Sequence, residues 1–129
     1  MEILIRQTNG VNNSDAIFTD RALDIKSLHI GSSPDQELQV VGADILPQHA
    51  ELTTSSTGAT ISCRRGAEVS VNGTVGRKFS LSINDVIEFG GNRIDVSPAP
   101  TGFDIAIVVS RSSTSEPVSY EQSYKTDLS

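Results

Sequence analysis

Apolar and polar residues alternate with period two along most of the chain, and turn-forming residues interrupt the alternation every 6 to 12 positions. Residues 1–8 put Ile3 and Ile5 on one face and Glu2, Leu4 and Arg6 on the other, which predicts a first strand. Asn9-Gly10 and the polar run to Ser14 predict a turn, and Ala16-Ile17-Phe18 a second short strand pairing with the first. Residues 21–26 read as an extended or irregular link rather than a helical turn, because the segment is short and lies among β signals. Leu28-His29-Ile30 is a strand that Gly31-Ser32-Ser33-Pro34-Asp35 must end. Residues 37–41 alternate with Leu38 and Val40 on one face, and Gly42-Ala43-Asp44 breaks that run. Residues 49–54 and 59–63 form a hairpin across Ser55-Ser56-Thr57-Gly58. Residues 68–71 lead into Asn72-Gly73, the strongest two-residue hairpin signal in the chain. Further strands are predicted at 75–79, 86–89, 93–96 and 103–109, with turns at Asn84-Asp85 and Gly90-Gly91-Asn92. About eleven short strands without a helix mean an all-β sandwich or barrel.

From Ser110 the pattern stops. Residues 110–129 hold seven Ser and almost no aliphatic side chains, too little apolar surface to offset chain entropy. The expected division is a folded unit over 1–109 and a flexible tail or linker over 110–129. Hydrophobic residues make up 36% of the chain and Trp is absent, so the core is expected to be built from Ile, Val and Leu.

The formal charge of −6 argues against nucleic acid, whose phosphates need clustered Lys and Arg. The pairs Arg64-Arg65 and Arg77-Lys78 are too small to reverse that. Cys63 is the only cysteine, so no intrachain disulfide forms and a reducing compartment is expected, with the thiol serving as a small apolar side chain. No run has the length of a signal peptide's apolar region or of a membrane helix. The expectation is a cytoplasmic domain without direct membrane insertion, either alone or as the cytosolic part of a larger membrane-associated protein.

Catalytic chemistry finds little to work with. Two histidines (His29 and His49) and one cysteine give no nucleophile triad and no zinc-ligand spacing. Asp44, Glu51 and Asp85 are scattered over turns and strand faces, and Asp85 is expected to bond its own turn. No catalytic residue, metal ligand or cofactor is assigned.

Three segments together resemble the forkhead-associated (FHA) domain. Leu28-His29-Ile30-Gly31 runs through an alternating strand to a loop ending in His49-Ala50. Val69-Ser70-Val71-Asn72-Gly73 is similar to the family's Phe-Val-Asn-Gly hairpin. Residues 81–90, LSINDVIEFG, are similar to its Leu-x-x-Gly-Asp-x-Ile-x-Phe-Gly, with Asn84 where Gly is usual. Asn is the non-glycine residue best suited to a left-handed turn, so this exchange preserves backbone geometry. The resemblance implies an FHA-like (SMAD/FHA-type) β-sandwich of about eleven antiparallel-rich strands.

It also implies a phosphothreonine-binding loop end, whose usual donors are missing here. A phosphate requires charge-assisted donors. Ser32 stands where Arg follows Gly, Leu46 where Ser precedes the His by three residues, and Pro47 where a further Arg is common. Ala67 aligns with the Asn of the loop between the sixth and seventh strands. His49 remains, and in the family it braces loops. The expected reading is therefore a non-catalytic protein–protein interaction or adaptor module with a degenerate phosphopeptide site. Its partner would be another protein or a peptide, phosphorylated or not. The alternative is a phosphothreonine reader with a non-standard ligand set, drawing on Ser32, Ser33, Arg64 and Arg65. The expected binding surface comprises Ser32, Ser33, Leu46, Gln48, Arg64, Arg65 and Asn72, and the expected structural residues are Gly31, His49, Gly73 and Asp85.

Overall fold

A computed structural model describes residues 1–8, 18–55 and 58–111. Among them twelve strands form two facing sheets. They are β1 (Glu2–Thr8), β2 (Phe18–Asp24), β3 (Leu28–Gly31), β4 (Leu38–Gln39), β5 (Ala50–Ser55), β6 (Gly58–Cys63), β7 (Val69–Val71), β8 (Thr74–Gly76), β9 (Lys78–Leu81), β10 (Val86–Phe89), β11 (Asn92–Ser97) and β12 (Ile105–Arg111). The seven-stranded sheet has the order β2-β1-β12-β11-β10-β7-β8, and the five-stranded sheet β4-β3-β5-β6-β9. Pairing is antiparallel except for β1 with β12 and β3 with β4. The architecture is the predicted all-β sandwich, and no helix occurs among the described residues.

Period-two burial explains why these segments are strands. Ile3 and Ile5 of β1, Ile87 of β10, Ile94 of β11 and Ile107 of β12 point inward from one sheet, while Leu28, Ile30, Leu38, Leu52 and Ile61 face them from the other. Branched aliphatics fill the space between the sheets, as the Ile, Val and Leu composition predicts.

Several boundaries differ from the sequence pattern, each for a local reason. The predicted irregular link over 21–26 is largely strand, because β2 pairs with the whole of β1 and ends at Asp24. Its alternation is masked because Arg21 lies on the half-buried side, donating from Nη2 to the Glu37 carbonyl at 2.9 Å. An inward-pointing charge of this kind blunts an edge strand against pairing with other chains. The predicted turn and strand start over 9–17 lie outside the described residues.

The run over 37–41 yields only the two-residue β4. The backbone leaves the ladder at Val41, whose carbonyl is taken by the other sheet. The single strand predicted over 75–79 is two strands in different sheets, with the crossing at Arg77. Gly76 permits the crossing: a Cβ there would lie 2.8 Å from the Phe79 ring. At the other terminus β12 runs through Arg111, beyond the point where the composition changes.

Candidate functional site

Three connections meet at one end of the sandwich: β3–β4 over 32–37, β4–β5 over 40–49, and β6–β7 over 64–68. The first two are laced together through their backbones. The Ser32 N–H donates to the Leu46 carbonyl at 3.0 Å and the Ser33 N–H to the Pro47 carbonyl at 3.2 Å. Gly31 makes this approach possible, because a Cβ there would lie 2.1 Å from the Pro47 carbonyl oxygen.

His49 ties the second loop to the third. It is 3% exposed, and its ring stacks on Phe89 with centroids 4.8 Å apart. Its Nε2 lies 2.8 Å from the Glu68 carbonyl, which can only accept, so Nε2 carries the hydrogen. Its Nδ1 accepts from the Leu46 N–H at 3.2 Å. The neutral Nε2–H tautomer satisfies both bonds at once, and the Arg64 N–H adds a bond to the His49 carbonyl at 2.9 Å. Both ring nitrogens are thus committed to holding loops.

Ser32, Ser33, Leu46, Gln48, Arg64 and Arg65 all lie on these loops. The two serine hydroxyls are spent on bracing. Ser32 Oγ donates to the Ile45 carbonyl at 3.3 Å. The Asp35 carboxylate accepts from Gln36 Nε2 at 3.0 Å and from the Ser33 hydroxyl, and these two bonds hold its pKa below the usual carboxylate range. Leu46 is half-buried, while Pro47, Gln48, Arg64 and Arg65 are exposed. Neither guanidinium has a carboxylate partner among the described residues. Ala67 is 1% exposed, so the position aligned with the family's Asn is a core position here.

Asn72 stands apart from this group. It lies beyond the opposite end of β7, where Nδ2 donates to Asp85 Oδ1 at 2.9 Å and Oδ1 accepts from the Val86 N–H at 3.0 Å. Its φ of 53° and the 90° of Gly73 give the two-residue turn that pairs Val71 with Thr74. Asp85 bonds its own turn as the sequence predicts, accepting from the Ser82 N–H at 2.8 Å. Asn84 adopts a φ of 77°, the left-handed conformation expected where Gly is usual.

The sequence pattern did not single out Val41, Asn92 or Arg111. The β4–β5 loop begins at Val41, whose side chain is 61% exposed and whose carbonyl accepts from Asn92 Nδ2 at 2.9 Å and Arg111 Nη1 at 2.7 Å. A cleft of about 340 Å³ lies beside this loop, lined by Ala43, Asp44, His49, Gly66, Glu68 and Phe89 together with the β10–β11 turn.

His29 forms a separate polar cluster on the outer face of the smaller sheet, with Nδ1 2.9 Å from Glu37 and Nε2 3.7 Å from Glu51. Burial raises the Glu37 carboxyl, but the His29 backbone N–H at 2.7 Å and the His29 ring outweigh it and leave the pKa below its ordinary value. Among the described residues no group of three or more His, Cys, Asp or Glu is placed to hold a metal ion.

The FHA domain family model matches residues 28–90, the stretch from β3 to the β10–β11 turn. No curated protein matches the sequence. Among solved structures, the chain is similar to an FHA domain studied for phosphothreonine-dependent interactions, at 19% identity and a TM-score of 0.59, covering 78% of this chain and 99% of that one. It is also similar to the FhaA FHA domain complexed with the intracellular domain of Rv3910 (20% identity, TM-score 0.51, 58% and 84% covered). The FHA domain of CT664 from Chlamydia trachomatis gives 22% identity and a TM-score of 0.51, with 67% and 87% covered. At such identities the likeness establishes the fold, that of FHA domains, and residues 28–90 match the FHA domain family, whose members are phosphopeptide-binding protein-interaction modules.

Proposed function

We propose that this domain is a non-catalytic adaptor whose loop end binds a protein or peptide without requiring phosphate. The observation that carries this reading is the state of the loop end. Its braces (Gly31, the Ser32 and Ser33 amides, His49) are in place, whereas the positions aligned with the family's phosphate donors hold Ser32, Leu46, Pro47 and Ala67. Ser32 could donate, but its hydroxyl is already committed to the Ile45 carbonyl. Leu46 and Pro47 have no side-chain donor, and Ala67 is buried. Exposed Pro47, Gln48 and Val41, with the Arg64 and Arg65 guanidiniums that have no carboxylate partner among the described residues, suit a protein surface of mixed apolar and acidic character. His49 spends both nitrogens on loop bracing and leaves neither to serve as a general base, which supports a role without catalysis.

In this reading the folded unit is the expected 1–109, extended by β12 to Arg111, with the residues beyond it a tail or linker, in the cytoplasm or as the cytosolic part of a membrane-associated protein. Cys63 is the one cysteine of the sequence, which supports a reducing setting, and burial raises its thiol pKa. The net charge of −6 supports a partner other than nucleic acid.

An NMR titration of the labelled chain with degenerate phosphothreonine and unphosphorylated peptide libraries tests the reading. Shifts at Val41, Gln48, Arg64 and Arg65 that do not depend on phosphate are expected. Shifts around Ser32, Ser33, Arg64 and Arg65 that appear only with the phosphorylated library would establish the alternative, a phosphothreonine reader with a rebuilt ligand set.

A further inference from the structure

The β4–β5 loop rests on the opposite sheet through a small clamp. The Val41 carbonyl accepts from Arg111 Nη1 and from Asn92 Nδ2, so both of its lone pairs are used. Asn92 is only 4% exposed, and its side-chain oxygen accepts a second bond from Arg111 Nη1 at 3.0 Å. Beneath the clamp the loop is packed closely on the β10–β11 turn. A Cβ on Gly42 would lie 1.9 Å from the Gly90 carbonyl oxygen, and one on Gly90 would lie 2.5 Å from Ile45 Cγ1. The backbone of Val41 is fixed from below while its side chain projects into solvent.

Arg111 is the final residue of β12, and its guanidinium is bonded to neutral oxygens alone, with no carboxylate partner among the described residues. Ser112, Ser113, Thr114 and Ser115 follow it directly in the sequence. A guanidinium bonds an anion about twice as strongly as a neutral oxygen. We propose that Arg111 is a positioning residue coupling the chain beyond β12 to the β4–β5 loop. A negative charge introduced just after it competes with the Val41 carbonyl for the guanidinium and releases the loop. Coupling of this kind is reciprocal. A partner that grips Val41 in its clamped position therefore holds Arg111 in place and resists capture by the anion. The clamp is independent of the proposed function, whereas its consequence for partner binding rests on that reading.

The test uses the full chain, labelled for NMR, as wild type, Arg111→Ala, Arg111→Lys, Ser112→Asp with Ser113→Asp, and the combination of both aspartates with Arg111→Ala. Val40 and Leu46 lie within the loop on either side of its Gly42–Asp44 break, and both amides are hydrogen-bonded. Exchange at these two sites should accelerate about tenfold in Arg111→Ala, with Leu52 and Ile61 unchanged and Arg111→Lys intermediate. The two aspartates should act in the same direction with Arg111 present and add nothing once it is gone. Unchanged exchange at Val40 and Leu46 in Arg111→Ala would overturn the proposal, as would an acceleration spread evenly over the sandwich. Equal effects of the aspartates in both backgrounds would overturn it too. None of these readouts needs a partner, so they separate failure of the clamp from failure of the proposed function.

Discussion

The two ends of the sandwich are closed by similar hydrogen bonds, yet they leave different chemistry unspent. At the end formed by Asn72, Ser82 and Asp85, polar side chains answer one another and nearby amides: Asn72 bonds Asp85 and Val86, and Asp85 bonds Ser82. At the loop end, Gly31, Ser32 and His49 perform the same closing work, but Arg64, Arg65, Gln48 and the Val41 side chain remain turned to solvent. Segments that carry a family resemblance are therefore of two kinds. Asn72-Gly73 and Asn84-Asp85 are scaffold chemistry and serve the fold whatever the domain binds. On the proposed function, the residues that decide the ligand are those left unspent at the loop end, where Ser32, Leu46, Pro47 and Ala67 stand in place of the family's usual donors.

If the loop end depends on a central brace, His49→Ala should have the largest effect. It removes two hydrogen bonds and a ring stack from a buried position, and should cost roughly 3–5 kcal/mol in denaturant unfolding. His49→Phe keeps the stack and should cost less. Gly31→Ala forces a Cβ against the Pro47 carbonyl and should cost about 2–3 kcal/mol, with NMR shifts concentrated in residues 31–33 and 45–48. Asp85→Ala should cost about 1–2 kcal/mol by freeing the Ser82 amide and the Asn72 side chain, with shifts confined to the opposite end. Comparable shifts at the loops in that variant would break the separation of the two ends.

Glu37 gives a smaller, pH-dependent effect. Its folded pKa lies below the ordinary value of 4.5. Its contribution is therefore complete above that pH and is lost as pH falls through the lower folded value. Glu37→Gln should flatten the acid arm of a stability–pH profile, and a profile identical to wild type would contradict the assignment. Arg64→Ala with Arg65→Ala should be the mildest, changing stability by no more than about 0.5 kcal/mol while weakening partner capture.

Much of this was legible in the sequence where the causes are local. Period-two alternation located the core strands, Asn72-Gly73 fixed a hairpin, and Asn84 announced a left-handed turn. His49 was readable as a brace through the resemblance alone, because its bonds to Leu46 and Glu68 cross between loops. Asn72, expected on the binding surface, lies beyond the far end of β7 and apart from His49, a separation set by pairing across strands that the local Asn-Gly signal does not carry. The Val41 clamp was not legible. Its partners lie 51 and 70 residues away, and Asn92 and Arg111 sit where the pattern shows a turn and a serine-rich stretch. The shift of sheets at Arg77 was hidden for a similar reason, since alternation records which face is buried and not which sheet a strand joins.

The central claim is that the frame of the loop end is intact while its phosphate donors are absent. The most direct test titrates one phosphothreonine peptide library, with its unphosphorylated control, into wild type and into Ser32→Arg with Leu46→Ser. The account predicts no phosphate-dependent shifts in wild type and their appearance around residues 31–33 and 46–49 once donors are restored on the existing braces. Phosphate-dependent shifts of the same size in wild type would contradict it.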